Sequence, residues 1–146
     1  MLLFLWYNKY GDTMDILKQL FHEKEIEKLL EEEPNLKYMD KKDARNIIKI
    51  LTENKCSNRV LRSLILRNPS FLLRKYSEIK ELIDIILEYG IENIDMMFYI
   101  YPNILNKSAY EIDNFFIKKH QQGLSNDLIC DILEVEPFQI DELEKI

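Results

Sequence analysis

The sequence predicts an all-α protein, a right-handed or superhelical α-solenoid of about three helical repeats with a period of 33–35 residues. Three observations carry that prediction. The chain has four prolines, Pro34, Pro69, Pro102 and Pro137, separated by 35, 33 and 35 residues, and self-similarity at such a period is the signature of helical repeat arrays. Each proline is led by the same apolar columns. Eight residues before it stand Ile26, Leu61, Ile94 and Ile129, five before it Leu29, Leu64, Met97 and Ile132, and four before it Leu30, Ile65, Phe98 and Leu133. Steps of three and four place them on one helical stripe. Composition agrees, because Leu and Ile abound while Val and Thr are scarce and there are only 3 glycines, which favours helix over sheet.

The elements follow in order. Residues 1–13 read as an N-terminal arm, with Met14 a candidate start after Gly11-Asp12-Thr13. Residues 14–146 read as a single helical-repeat domain. A partial repeat, 14–33, has Asp12, Thr13 or Asp15 as cap candidates for a helix carrying Ile16, Leu17, Leu20 and Phe21. A turn at His22-Glu23 leads to a helix ending before Pro34, since proline has no N–H and clashes with the preceding turn. The outer residues of that helix, Glu23, Glu25, Glu27 and Glu31–Glu33, suit a terminal cap.

Repeat 34–68 carries Ala44, Ile47, Ile48 and Leu51 inward behind a cap at Asp40 or Asp43. Repeat 69–101 uses Ile79, Leu82, Ile83 and Ile86, and repeat 102–136 uses Ile112, Phe115 and Phe116. Twenty-one residues after each proline come Lys55, Gly90 and Gly123, at the position where helices end on a left-handed residue. Twenty-four after come Asn58, Asn93 and Asn126, a recurring cap candidate for the closing helices. Residues 137–146 read as a C-terminal cap.

Several repeat families share this period. Two alanines, Ala44 and Ala109, cannot supply the close helix crossings of tetratricopeptide or pentatricopeptide repeats, and the ankyrin T-P-L-H pattern is absent. The run Asn68-Pro69-Ser70-Phe71-Leu72-Leu73, then Leu82-Ile83 and Ile86-Leu87-Glu88-Tyr89-Gly90, echoed by Pro102-Asn103-Ile104-Leu105 and Gly123, resembles the mTERF repeat (mitochondrial transcription termination factor type) across about residues 23–140. The resemblance implies three-helix units whose proline segment is a short 3₁₀ or α turn. It also implies nucleic-acid binding without catalytic residues.

Charge sharpens the functional reading. The net charge is −6, yet residues 37–80 carry 12 basic and 4 acidic side chains, while residues 81–146 carry 4 basic and 14 acidic. Arg45, Lys49, Arg59, Arg62, Arg67, Arg74 and Lys75 fall outside the apolar columns. They are the candidate nucleic-acid-binding face, for DNA or RNA, with binding that weakens steeply as salt rises. Repeat layers about 10 Å apart would reach about one duplex turn. The alternative is a protein-protein interaction adaptor or self-associating module, with a protein partner or a homodimer, using exposed aromatic surface and complementary charge. Tyr99, Tyr101 and Tyr110 are candidates for base stacking or for half-buried packing with a solvated hydroxyl.

Catalysis finds no support: no Gly-rich phosphate loop, G-x-S-x-G or H-E-x-x-H is present, and no cofactor is expected. His22 and His120 lack ligand spacing to each other or to the cysteines, so no metal is expected. Cys56 and Cys130 are too few for a disulfide framework and point to a reducing, cytoplasmic setting. The opening seven apolar residues, MLLFLWY, are too short for a signal peptide or a membrane span, so no membrane partner is expected.

Overall fold

A proline that ends one helix must also start the next element, and here it does so the same way each time. The residue before each proline leaves the helical region: Glu33 (φ −135°, ψ 81°), Asn68 (−150°, 65°), Tyr101 (−137°, 84°) and Glu136 (−131°, 62°). The following ring disfavours helical backbone at that residue. Its own N–H still reaches back four residues, to the carbonyls of Leu29, Leu64, Met97 and Ile132 at 2.7–3.0 Å. The first three prolines then sit in the opening turn of a five-residue 3₁₀ helix: Pro34–Tyr38, Pro69–Leu73 and Pro102–Asn106. A missing N–H costs nothing at that position.

The structure, a computed structural model, describes residues 15–142. Among them all regular structure is helical. Residues 15–18 are helical, with Ile16, Leu17 and Phe21 buried. The cap candidates Asp12 and Thr13, the arm 1–13 and the last four residues lie outside the described residues. The α-helices that follow are α1 (Glu23–Glu32), α2 (Lys41–Glu53), α3 (Asn58–Arg67), α4 (Tyr76–Glu88), α5 (Ile94–Ile100), α6 (Ala109–Gln121), α7 (Asn126–Val135) and α8 (Gln139–Glu142). The all-α helical-repeat fold expected from the sequence is the fold observed.

The chain divides into two compact units, Met1–Tyr76 and Ser77–Ile146. In the first, α3 and α2 both pack on the 3₁₀ turn Pro69–Leu73, which also meets the turn Pro34–Tyr38. In the second, α7 packs against both α5 and α6, and α5 packs on the turn Pro102–Asn106. Of the twelve positions in the apolar columns, eleven are buried and Ile132 is half-exposed. The burial of Leu36, Phe71 and Ile104 two residues after the first three prolines adds a further column.

The long helices end alike. Lys55, Gly90 and Gly123 have φ of 72°, 100° and 91°, the left-handed conformation that reverses the chain after a helix. In each case its N–H bonds to the carbonyl three residues back (Thr52, Leu87, His120; 2.9–3.2 Å). The next N–H bonds five back (Leu51, Ile86, Lys119; 3.0–3.4 Å). These bonds satisfy carbonyls that the helix end would otherwise leave open.

The closing-helix caps differ from the expectation. Ser57 and Ser125, one residue earlier than Asn58 and Asn126, accept the N–H of Val60 and Leu128 at 3.3 Å. Both asparagines are first helical residues. Asn126 instead donates from Nδ2 to the Tyr89 carbonyl at 2.6 Å. Asn93 does occupy the N-cap position, but makes no side-chain cap bond. Glu134 on α7 supplies it, with Oε1 accepting the N–H of Glu92 at 2.9 Å and of Asn93 at 3.4 Å. A carboxylate there also suits the positive end of the helix dipole.

Candidate nucleic-acid interface

All seven basic candidates lie in the first unit. On α2 the core side is Ala44, Ile47, Ile50 and Leu51. Asp40 is its N-cap, accepting the Asp43 N–H at 2.8 Å. That register leaves Lys41, Lys42, Arg45 and Lys49 exposed, and the steps 41–45–49 of four residues line them up along one outer stripe. Arg45 and Lys49 form no ion pair with a described residue. Lys41 and Lys42 belong to the same stripe; the spacing that would have found them was already visible in the sequence.

On α3 the core side is Leu61, Leu64 and Ile65. Arg59 and Arg67 are exposed, with Ser63 between them at four-residue steps, and Arg67 Nη1 donates to Ser63 Oγ at 3.4 Å. Arg59 forms no ion pair with a described residue. Arg74 is half-buried and Lys75 exposed at the end of the turn Pro69–Leu73. Asp43 Oδ1 accepts the Tyr76 N–H at 3.3 Å. That bond brings the Arg74-Lys75 step beside the first turn of α2, where Lys41 and Lys42 stand.

Arg62 is placed differently from the other six. Its Nη1 donates to the Leu20 carbonyl at 2.6 Å and to Glu25 Oε1 at 3.1 Å, and its Nη2 donates to Glu25 Oε2 at 2.7 Å. The guanidinium also lies over the Phe21 ring, 5.1 Å from its centroid. Two-pronged pairing of this kind is the strong form of an Arg–carboxylate contact. The hydrogen bond from Arg62, aided by the His22 N–H at 3.3 Å, pulls the Glu25 carboxyl down to about 2. Glu25 is therefore a half-buried fastener between α1 and α3, with 19 % of its side chain exposed, rather than part of a polar outer face. No sequence signal linked two residues 37 positions apart.

The tyrosines separate in the second unit. Tyr110 is 75 % exposed. Tyr101 is half-buried and donates its hydroxyl to Asp141, a carboxylate that also receives Lys107. Tyr99 is half-buried. Among the described residues no group of His, Cys, Asp and Glu is placed to hold a metal ion, and no helix is long and apolar enough to cross a membrane. Both thiols are buried, and burial raises the Cys130 thiol above its ordinary value.

No curated protein and no solved structure matches the chain. The mTERF family model matches residues 3–143, nearly the whole sequence. The proline-led 3₁₀ turns, the left-handed ends of the long helices and this match agree, and the chain belongs to the mTERF family.

Proposed function

We propose that this protein is a non-enzymatic, nucleic-acid-binding regulator that uses the basic surface of its first unit. The observation that carries the reading is the stripe Lys42, Arg45 and Lys49 on α2, joined by Arg59 on α3. These four cations are exposed and unneutralised by any described carboxylate. Arg67, Arg74 and Lys75 extend the surface. Arg62 supports it from within, by holding α3 in place through Glu25. Family membership favours nucleic acid over an acidic protein as the partner. The buried thiols favour a reducing compartment.

Phosphates are the targets such a surface fits, since point charges spaced along two helices neutralise a backbone without reading bases. Titration of labelled duplex DNA, duplex RNA and the corresponding single strands at two salt concentrations tests the proposal. Binding should weaken steeply between about 50 and about 200 mM salt, with a log–log slope close to the number of phosphates neutralised. No binding at the lower salt, or binding without a slope, would overturn it.

A further inference from the structure

Helix α7 is apolar on two sides. Its inner side, Ile129, Cys130 and Leu133, is buried. A second side, Asn126, Cys130 and Glu134 at four-residue steps, lies against the turn between α4 and α5. There Asn126 and Cys130 both donate to the Tyr89 carbonyl, at 2.6 and 3.2 Å, and Glu134 caps α5. The side facing away from these carries Leu128, Ile132 and Val135, spaced i, i+4 and i+7, with Phe138 just beyond. Leu128 is 46 % exposed and Val135 69 %. A helix apolar on two sides normally has neighbours on both.

The internal repeat shows what this side is built for. The column of Ile132 holds Leu29, Leu64 and Met97 in the earlier closing helices, all at most 1 % exposed. Ile132 alone is half-exposed. Twenty-two residues after each proline stand Cys56 and Ile91, both 2 % exposed, and then Leu124, half-exposed. Two columns that are closed in the preceding repeats are thus open together at α7 and the turn before it. In repeat arrays such a face is closed by the next helix in the stack.

We propose that the α7 face formed by Leu124, Leu128, Ile132 and Val135 docks a basic amphipathic helix of another polypeptide. Charge selects this occupant. Asp127 and Asp131, exposed at a four-residue step, run beside the apolar line, and Glu136 closes its end. A second α7 would bring the same acids against themselves. Helix α1 of a second copy would offer Glu23, Glu27, Glu31 and Glu32, all exposed. Both pairings of like charge are disfavoured, whereas a helix with Leu at i, i+4 and i+7 flanked by Lys and Arg matches the face in both respects.

The experiment uses the full chain and a labelled basic amphipathic helix of about 18 residues as probe. The wild-type protein should bind it and sediment as a monomer in its absence. Leu128→Lys/Val135→Lys and, separately, Asp127→Lys/Asp131→Lys should each weaken binding at least about tenfold, with unchanged helicity by circular dichroism. A probe of identical composition with its leucines scattered should bind at least about tenfold less tightly. Equal binding by either variant or by the scattered probe would overturn the proposal. So would a wild-type dimer that Leu128→Lys/Val135→Lys dissociates, which would assign the face to self-association.

Discussion

The two units use the same backbone bonds and opposite surface chemistry. At matching positions on the long helices, eleven and fifteen residues after the proline, α2 of the first unit has Arg45 and Lys49, without carboxylate partners among the described residues. In the second unit, α4 has Lys80 and Asp84, which pair with each other at 2.7 Å. There too α6 has Asp113, bonded by the Tyr89 hydroxyl, and Ile117, exposed to solvent. The fasteners between helices differ as well. The first unit joins α1 to α3 through the ion pair Arg62–Glu25, while the second joins α7 to the α4–α5 turn through an amide, a thiol and a capping carboxylate. What recurs is what the helical repeat requires; what varies is the surface charge and the side-chain bonds that tie helices together.

That contrast can be broken at its strongest point. Reversing Arg45, Lys49 and Arg59 to Glu together should weaken nucleic-acid binding by at least about 100-fold and lower the salt slope by about 3. Lys118→Glu/Lys119→Glu on α6 should change binding by less than about twofold, because two cations in an acidic unit offer phosphates no continuous surface. Fluorescence anisotropy across a salt series reads both. Equal losses would erase the distinction between the units.

The fasteners come next. Glu25→Gln leaves the Arg62 guanidinium half-buried without its counter-charge, and the urea midpoint at neutral pH should fall. The acid limb supplies the sign. Because Glu25 is lowered from its ordinary 4.5 to about 2 in the folded protein, its contribution is complete above pH 4.5 and fades as pH falls toward 2. Wild type should therefore lose stability across that window more steeply than Glu25→Gln. Parallel urea titrations at several pH values would show it.

The shared turns allow a finer comparison of opposite sign. An added Cβ at Gly90 or Gly123 meets nothing within 4 Å, so Gly90→Ala and Gly123→Ala should cost only the left-handed backbone penalty, about 1–2 kcal/mol each. Lys55 already bears that penalty, and Lys55→Gly should stabilise the protein by about 1 kcal/mol. Thermal or urea unfolding of the three variants checks the pattern.

The smallest effects concern the caps. Ser57→Ala and Ser125→Ala should each cost about 1 kcal/mol, whereas Asn58→Ala, one residue later, should cost under about 0.5 kcal/mol. Asn126→Ala should exceed Asn58→Ala, because it also removes the bond to Tyr89. Urea unfolding measures all four.

The fold was legible in the sequence because its causes are local. A proline excludes a helical N–H and drives the preceding residue out of the helical region, a residue at C′ must turn left-handed, and apolar side chains at steps of three and four share one face. The exposed cations Arg45, Lys49 and Arg59 were legible for the same reason, as residues outside the core columns.

The sequence by itself therefore determined the period, the helical class, the core columns and the segregation of charge. Only the tertiary structure decided which cation is spent on an ion pair between helices, since Arg62 and Glu25 meet across 37 residues. It also decided that serines rather than asparagines cap α3 and α7, that Glu134 caps α5 from another helix, and that the column of Ile132 stays open. Apart from the serine caps, whose bonds span only three residues, each of these depends on which elements become neighbours in space, and helical spacing orders side chains on their own helix but does not name the surface they will meet.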